Sequence, residues 1–217
     1  MIEPAAMFHT QGITGGASEE RLEKLIAERL EPGADKARID ARIWDLFGEE
    51  RAVMFTDLSG FSRSVAEFGI IHFLQVIYES QRLLTPVIEA HDGIVLKMEG
   101  DSLMVIFRRA DRALECAVAM QRLLRGYNAG RAEEDRVLLC VGVGFGRVLR
   151  IGDHDVFGAE VNAAAKLGED TAKAWEILVT RAVRDACGAV EGVGFTAIDY
   201  VPPGADAAFT VEYSLEG

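Results

Sequence analysis

Residues 94–107 read IVLKMEGDSLMVIF. Two aliphatic runs, Ile94 to Met98 and Ser102 to Phe107, are separated only by Glu99, Gly100 and Asp101. Three residues cannot hold the helix that a parallel crossover needs, but they suffice for a tight turn, so the two runs form a hairpin. Working outward, Arg51 to Thr56 reads as a strand and Ile70 to Ala90 as a helix upstream. Downstream follow a helix over Ala110 to Tyr127 and a strand over Val137 to Phe145. The order βα, β-hairpin, αβ predicts an α+β, ferredoxin-like βαββαβ domain with a mixed sheet and its helices on one face. A helix over Ala159 to Asp170, a strand over Ile177 to Thr180, a helix over Arg181 to Ala186 and weaker strands over Gly194 to Ile198 and Ala207 to Tyr213 complete the pattern.

Ahead of this domain lies an extension, and the boundary is expected between residues 48 and 49. Met1 to Gly16 is Gly-rich and unpatterned, which predicts a mobile start. From Ala17, Leu22, Leu25, Ile26 and Leu30 recur at helical spacing behind an opening at Ser18, and Pro32-Gly33 stops the run. A second helix is expected from about Asp35 to Phe47. The pair reads as a packing extension or a regulatory stub, and residues 49–217 as the functional domain.

The chain has 217 residues, 49% of them hydrophobic and 27% charged, with a net charge of -12. That length suits one core of ordinary size, and the acidic balance argues against duplex nucleic acid as a partner, because phosphate binding wants a basic face. Placed cations or metal ions leave nucleotide binding open. Cys116, Cys140 and Cys187 are odd in number and show no CxxC spacing, which fits reduced thiols and a cytoplasmic protein. The first residues lack a basic segment followed by an apolar one, and no run approaches the length of a membrane span.

Two carboxylates sit where a strand meets a turn. Asp57 ends the strand of RAVMFTDLSGFSR, residues 51–63, and Asp101 lies in the hairpin turn. In a ferredoxin-like sheet the first strand lies beside the hairpin, so both acids can face one point. Paired Asp oxygens suit hard divalent cations such as Mg²⁺ or Mn²⁺, which keep positions free for substrate phosphates. The turn Leu58-Ser59-Gly60-Phe61 leads into a helix, and its unpaired main-chain N–H groups would cradle a polyphosphate. On spacing alone, Asp-Leu-Ser-Gly and Glu-Gly-Asp are equally ordinary cap and turn chemistry.

These stretches carry a resemblance. FTDLSGF, KMEGDS and VFGAEVNAAAKL stand in the order and close to the spacing of the catalytic domain of class III nucleotidyl cyclases, over roughly Glu49 to Thr180. The resemblance implies that Asp57 and Asp101 hold two divalent ions, Mg²⁺ or Mn²⁺. It implies that Lys97 and Asp155 read the base, and that Asn162 orients the ribose. The position four residues beyond Asn162, where the family has a transition-state Arg, is Lys166 here. Lys offers a compact point charge where Arg offers a planar fork, so charge stabilisation is retained with weaker geometric control. The sequence departs from the family pattern twice more: Gly146 to Asp155 is short for the hairpin that embraces a partner subunit, and VPPGADAAFTVEYSLEG lacks a Lys-rich segment.

The implied reaction is attack of the ribose 3′-oxygen on the α-phosphorus of ATP, giving 3′,5′-cyclic AMP and pyrophosphate without a protein nucleophile. In the family, the metal-binding residues come from one subunit and the base-reading and Asn/Arg positions from the other. One chain carrying both sets implies a homodimer with two equivalent sites. A pyrimidine nucleotide, UTP or CTP, is an alternative substrate, and a degenerate nucleotide-sensing domain is an alternative function.

Other signals are set aside. GVGFGRV, residues 142–148, misses the GxGxxG spacing and reads as close backbone approach in a strand. His9, His72, His91 and His154 show no metal-ligand spacing, and Arg108, Arg109 and Arg112 read as a solvated helix face beside Asp111 and Glu115.

Overall fold

The computed structural model describes residues 16–215, apart from the side chains of residues 61–64. The expected mobile start, Met1 to Gly16, lies outside these residues but for Gly16. The chain divides into two compact units, residues 1–46 and 47–217.

In the first unit, α1 (Ala17–Leu30) begins behind Gly16 rather than at Ser18, with Glu19 and Glu20 in its first turn, where acids favour the helix dipole. Gly33, at φ 81°, makes the turn after Pro32. The second helix, α2, spans Lys36–Phe47, and the Asp35 carboxylate accepts the Arg38 N–H at 3.1 Å as its cap. Leu25, Ile39 and Ile43 are buried. Arg29 pairs with Asp40 at 2.5 Å and Arg42 with Glu28 at 2.8 Å, tying α1 to α2.

The second unit is built on one sheet. Its strands are β1 (Gly48–Leu58), β2 (Ile94–Glu99), β3 (Ser102–Phe107), β4 (Leu139–Ile151), β5 (Asp155–Phe157), β6 (Ile177–Thr180), β7 (Val193–Ala197) and β8 (Ala208–Tyr213). The spatial order is β2-β3-β1-β4-β6-β8-β7, with β5 pairing the end of β4. Among these pairs only β4 with β6 is parallel, so the sheet is mixed. Its first four strands stand in the ferredoxin-like order, and the hairpin turn is made by Gly100, at φ 59°, and Asp101. The helices are α3 (Phe61–Phe68), α4 (Ile70–Ala90), α5 (Ala110–Asn128), α6 (Ala159–Ala165) and α7 (Arg181–Cys187).

The pleat sends alternate side chains to opposite faces. Ala52, Met54 and Leu58 of β1 and Leu103, Val105 and Phe107 of β3 pack with Phe73, Leu84 and Ile88 of α4, Leu114 of α5 and Val183 of α7. On the other face, Val53, Met104, Ile106, Val148 and Val156 pack with Val161 of α6. The two helices of the βαββαβ core, α4 and α5, share one face as the sequence pattern suggested, whereas α6, beyond that core, lies on the other. Two glycines of β4 explain the position of α6. A Cβ on Gly142 would lie 2.2 Å from the Gly168 nitrogen, and one on Gly144 would lie 2.3 Å from the Glu160 carbonyl oxygen. The GVGFGRV stretch is thus a bare strip on which α6 and its continuation rest backbone to backbone. The helix expected to run to Asp170 gives way at Lys166 to a π turn, Lys166–Thr171.

Candidate active site

Asp57 lies on the α6 face of β1, at the strand's penultimate residue and opposite Cys140. Burial lifts its carboxyl to about 6. The negative charges of Asp101 and Glu169 push the same way, and the Leu58 N–H opposes them. The Asp101 carboxylate is within hydrogen-bonding reach of it. Glu169, carried by the π turn, is raised first by burial and then by Asp170, Glu99 and Asp101, while a hydrogen bond from Ser102 holds it down. Crowded acids of one sign make a place where a divalent cation relieves both burial and repulsion. Among the described residues no three His, Cys, Asp or Glu side chains are arranged to hold a metal by themselves. The fit is that of a carboxylate pair, which suits an ion completing its shell with water and phosphate oxygens.

The turn after Asp57 is less open than its sequence suggests. The Ser59 N–H donates to the Leu138 carbonyl at 2.8 Å, and the Leu58 N–H turns to the Asp57 carboxylate. The cradle read over Leu58, Ser59, Gly60 and Phe61 narrows to Gly60, at φ 93°, and Phe61 at the start of α3. The Phe61 side chain lies outside the described residues.

Beside the acids on the same face opens a cleft of about 240 Å³ that collects Lys97, Asp155 and Asn162 over an apolar floor of Phe55, Met104 and Val156. Lys97 Nζ donates to Asp155 Oδ2 at 2.6 Å, and Asp155 Oδ1 accepts the Val156 N–H at 2.9 Å. Lys97 reaches this cleft because β2 breaks register between Val95 and Lys97: Val95 lies opposite Val105, but Lys97 lies opposite Met104. Strict alternation would have carried Lys97 to the α4 face with Val95, and the bulge re-aims it. Glu99, Ser102 and Glu169 line the cleft's acidic side.

The structure therefore brings Lys97, Asp155 and Asn162 together, and Asp57 with Asp101. Lys166 is not in the cleft's wall. Its Nζ pairs with Asp170 at 2.5 Å, and both side chains are more than half exposed. The sequence reading missed Glu169. The π turn that begins at Lys166, rather than α-helical spacing, carries it to the cleft, and no local pattern marks that turn.

His9 lies outside the described residues, and the other signals fall where ordinary chemistry puts them. His72 pairs with the Glu134 carbonyl at 2.9 Å and His91 with that of Val87 at 2.7 Å. Arg109 pairs with Asp111, and Arg112 with Glu115 at 3.0 Å, on an exposed helix face. The three cysteines are free and buried. Among the described residues no helix is long and apolar enough to cross a membrane.

Known proteins share this fold. The family model of the adenylate and guanylate cyclase catalytic domain matches residues 48–201. The chain belongs to that family, the class III cyclases. A putative adenylate cyclase 3 of Rhizobium meliloti is 32% identical over 116 residues, which cover 54% of this chain and 20% of that protein. A serine/threonine-protein kinase of Myxococcus xanthus is 31% identical over 131 residues, covering 60% of this chain and 16% of the kinase. This chain thus matches about a fifth or less of either relative's length. The adenylyl cyclase CyaB from P. aeruginosa superposes with a TM-score of 0.63 at 20% identity, over 77% of this chain and 95% of that one. An adenylate/guanylate cyclase/hydrolase from Silicibacter pomeroyi gives 0.64 at 22%, over 77% and 98%. These likenesses establish the fold.

Proposed function

We propose that residues 49–217 form an adenylate cyclase that converts ATP to 3′,5′-cyclic AMP and pyrophosphate in the cytoplasm, as a homodimer with two shared sites. The observation that carries this reading is the Lys97–Asp155 pair, 2.6 Å apart in the cleft that Asn162 also lines. Adenine presents an amine donor and a ring-nitrogen acceptor side by side. Asp155 accepts from the first and Lys97 donates to the second, once the two exchange their mutual bond for the base. The apolar floor of Phe55, Met104 and Val156 gives the ring a dry surface.

Asn162 holds the ribose so that its 3′-oxygen faces the α-phosphorus, and Gly60 and Phe61 direct main-chain N–H groups at the polyphosphate. Asp57 and Asp101 hold two divalent ions, Mg²⁺ or Mn²⁺, which when bound supply Lewis acidity at the attacking and leaving oxygens. Lys166 leaves Asp170 to meet the negative charge that builds as pyrophosphate departs, an exchange that exposure makes inexpensive. Following the family's division of roles, Lys97, Asp155 and Asn162 serve one site and the Asp pair of the same chain serves the other, so each complete site takes one half from each of two copies.

The deciding experiment incubates the protein with each of ATP, GTP, CTP and UTP and Mn²⁺ and identifies the product. Cyclic AMP as the main product is expected. Turnover of CTP or UTP with little of ATP would make it a pyrimidine cyclase, and binding without any product would make it a nucleotide-sensing domain.

A further inference from the structure

Along one edge β4 pairs with β1 continuously from Leu139 to Leu149, but along the other it has partners only in patches. β6 pairs with Val141 to Val143 and ends at Thr180, and β5 pairs only from Leu149. Between those patches the main chain of β4 meets no strand, and a half-buried N–H without a partner is costly. One side chain fills the gap. Glu160, in the first turn of α6, accepts the Phe145 N–H at 3.1 Å and the Thr180 hydroxyl at 2.7 Å, both on Oε2. Thr180 is fully buried. Burial pushes the Glu160 carboxyl up, and these two donors hold it down.

This anchor matters because of what α6 carries. It has seven residues, too few to be stable alone, and over Gly142 and Gly144 it lies on bare backbone, with Val148, packed against Val161, the β4 side chain in its apolar cluster. Asn162 stands two residues beyond Glu160, and Lys166 begins the π turn that continues the helix. We propose that Glu160 is a positioning residue for the reaction: by joining α6 to β4 and to the end of β6, it fixes where Asn162 and Lys166 stand. The inference rests on the cyclase reading for its effect on turnover, but not for the anchor itself.

Two measurements separate these. By hydrogen exchange, Glu160→Ala is expected to lose protection at Phe145 and over 159–166 while β1 and β3 keep theirs, whatever reaction the protein catalyses. Unchanged protection there would overturn the anchor. In the cyclase assay, Glu160→Ala is expected to lower kcat about tenfold or more with KM changed less than about threefold, and Glu160→Gln, which keeps an acceptor oxygen, to restore most of the loss. The damage should belong to the Asn162 half of the site. Mixed with an Asp57→Ala chain, the Glu160→Ala chain should recover activity, and mixed with an Asn162→Ala chain it should not. Wild-type kcat in Glu160→Ala, or recovery with Asn162→Ala, would overturn the proposal. If Glu160→Ala does not fold, Thr180→Val, which removes one of the two donors, carries the test: a smaller fall in kcat at unchanged KM is expected, and wild-type kcat would overturn it.

Discussion

Lys97 and Asp155 stand 2.6 Å apart across the cleft although 58 residues separate them in the chain, one on the bulged strand β2 and the other at the start of β5. Each satisfies the other, so the pair is a preformed donor and acceptor rather than two isolated charges. Guanine places a carbonyl where adenine has its amine, which would leave Asp155 facing an acceptor. Lys97→Glu combined with Asp155→Cys is therefore expected to weaken ATP use and to shift relative preference toward GTP. Comparing kcat/KM for both nucleotides checks this, and an unchanged ratio would remove the pair from base reading.

Asp57 leads to a prediction about pH. Burial first, and then the charge of Asp101, raise its carboxyl in the fold to about 6, above the ordinary Asp value of 3.8. The native state thus binds the proton more tightly than the unfolded chain, so metal-free protein loses stability as pH rises from about 4 to about 6. At neutral pH the ionised carboxylate is a net cost, and Asp57→Asn should stabilise the metal-free fold by on the order of 1–3 kcal/mol while abolishing cyclisation. Added Mn²⁺ should raise the melting temperature of the wild type and leave that of Asp57→Asn nearly unchanged. Equal responses of the two proteins to Mn²⁺ would remove Asp57 from the metal site.

Division of the site between two copies gives a complementation test. Asp57→Ala and Asn162→Ala chains, each inactive, should recover a fraction of wild-type turnover when mixed, because a mixed dimer builds one site from two intact halves. Subunit exchange is followed separately by pull-down of a tagged chain. Exchange without recovery would show that each chain completes its own site.

Gly142 tests the packing beneath α6. A Cβ there would lie 2.2 Å from the Gly168 nitrogen and 2.3 Å from the Ala164 carbonyl oxygen, backbone atoms that cannot swing aside. Gly142→Ala should cost about 1–3 kcal/mol or more by urea denaturation and should displace the turn bearing Lys166. Gly126 of α5 has nothing within 4 Å of its would-be Cβ, so Gly126→Ala should stabilise by about 0.5–1 kcal/mol. The same substitution with opposite signs separates crowding from helix propensity.

The sequence by itself determined the order of elements and the kind of sheet. The three-residue link at Glu99 to Asp101 permits only a hairpin, and the apolar runs around it have the periods of strands and helices. It also placed Asp57 and Asp101 at strand ends, because local turn chemistry is written in neighbouring residues. Only the tertiary structure decided which face each side chain meets. The bulge that turns Lys97 toward Asp155 depends on the register of β2 against β3, and no local pattern records a register shift. The move of α6 to the second face depends on glycines whose bareness matters only once a backbone lies on them. The Ser59 N–H that seemed free for phosphate is taken by Leu138, a partner 79 residues away. Glu160 and Glu169 read as two more charges on a helix. Their roles come from a gap in sheet pairing and from a π turn, and both are products of long-range packing.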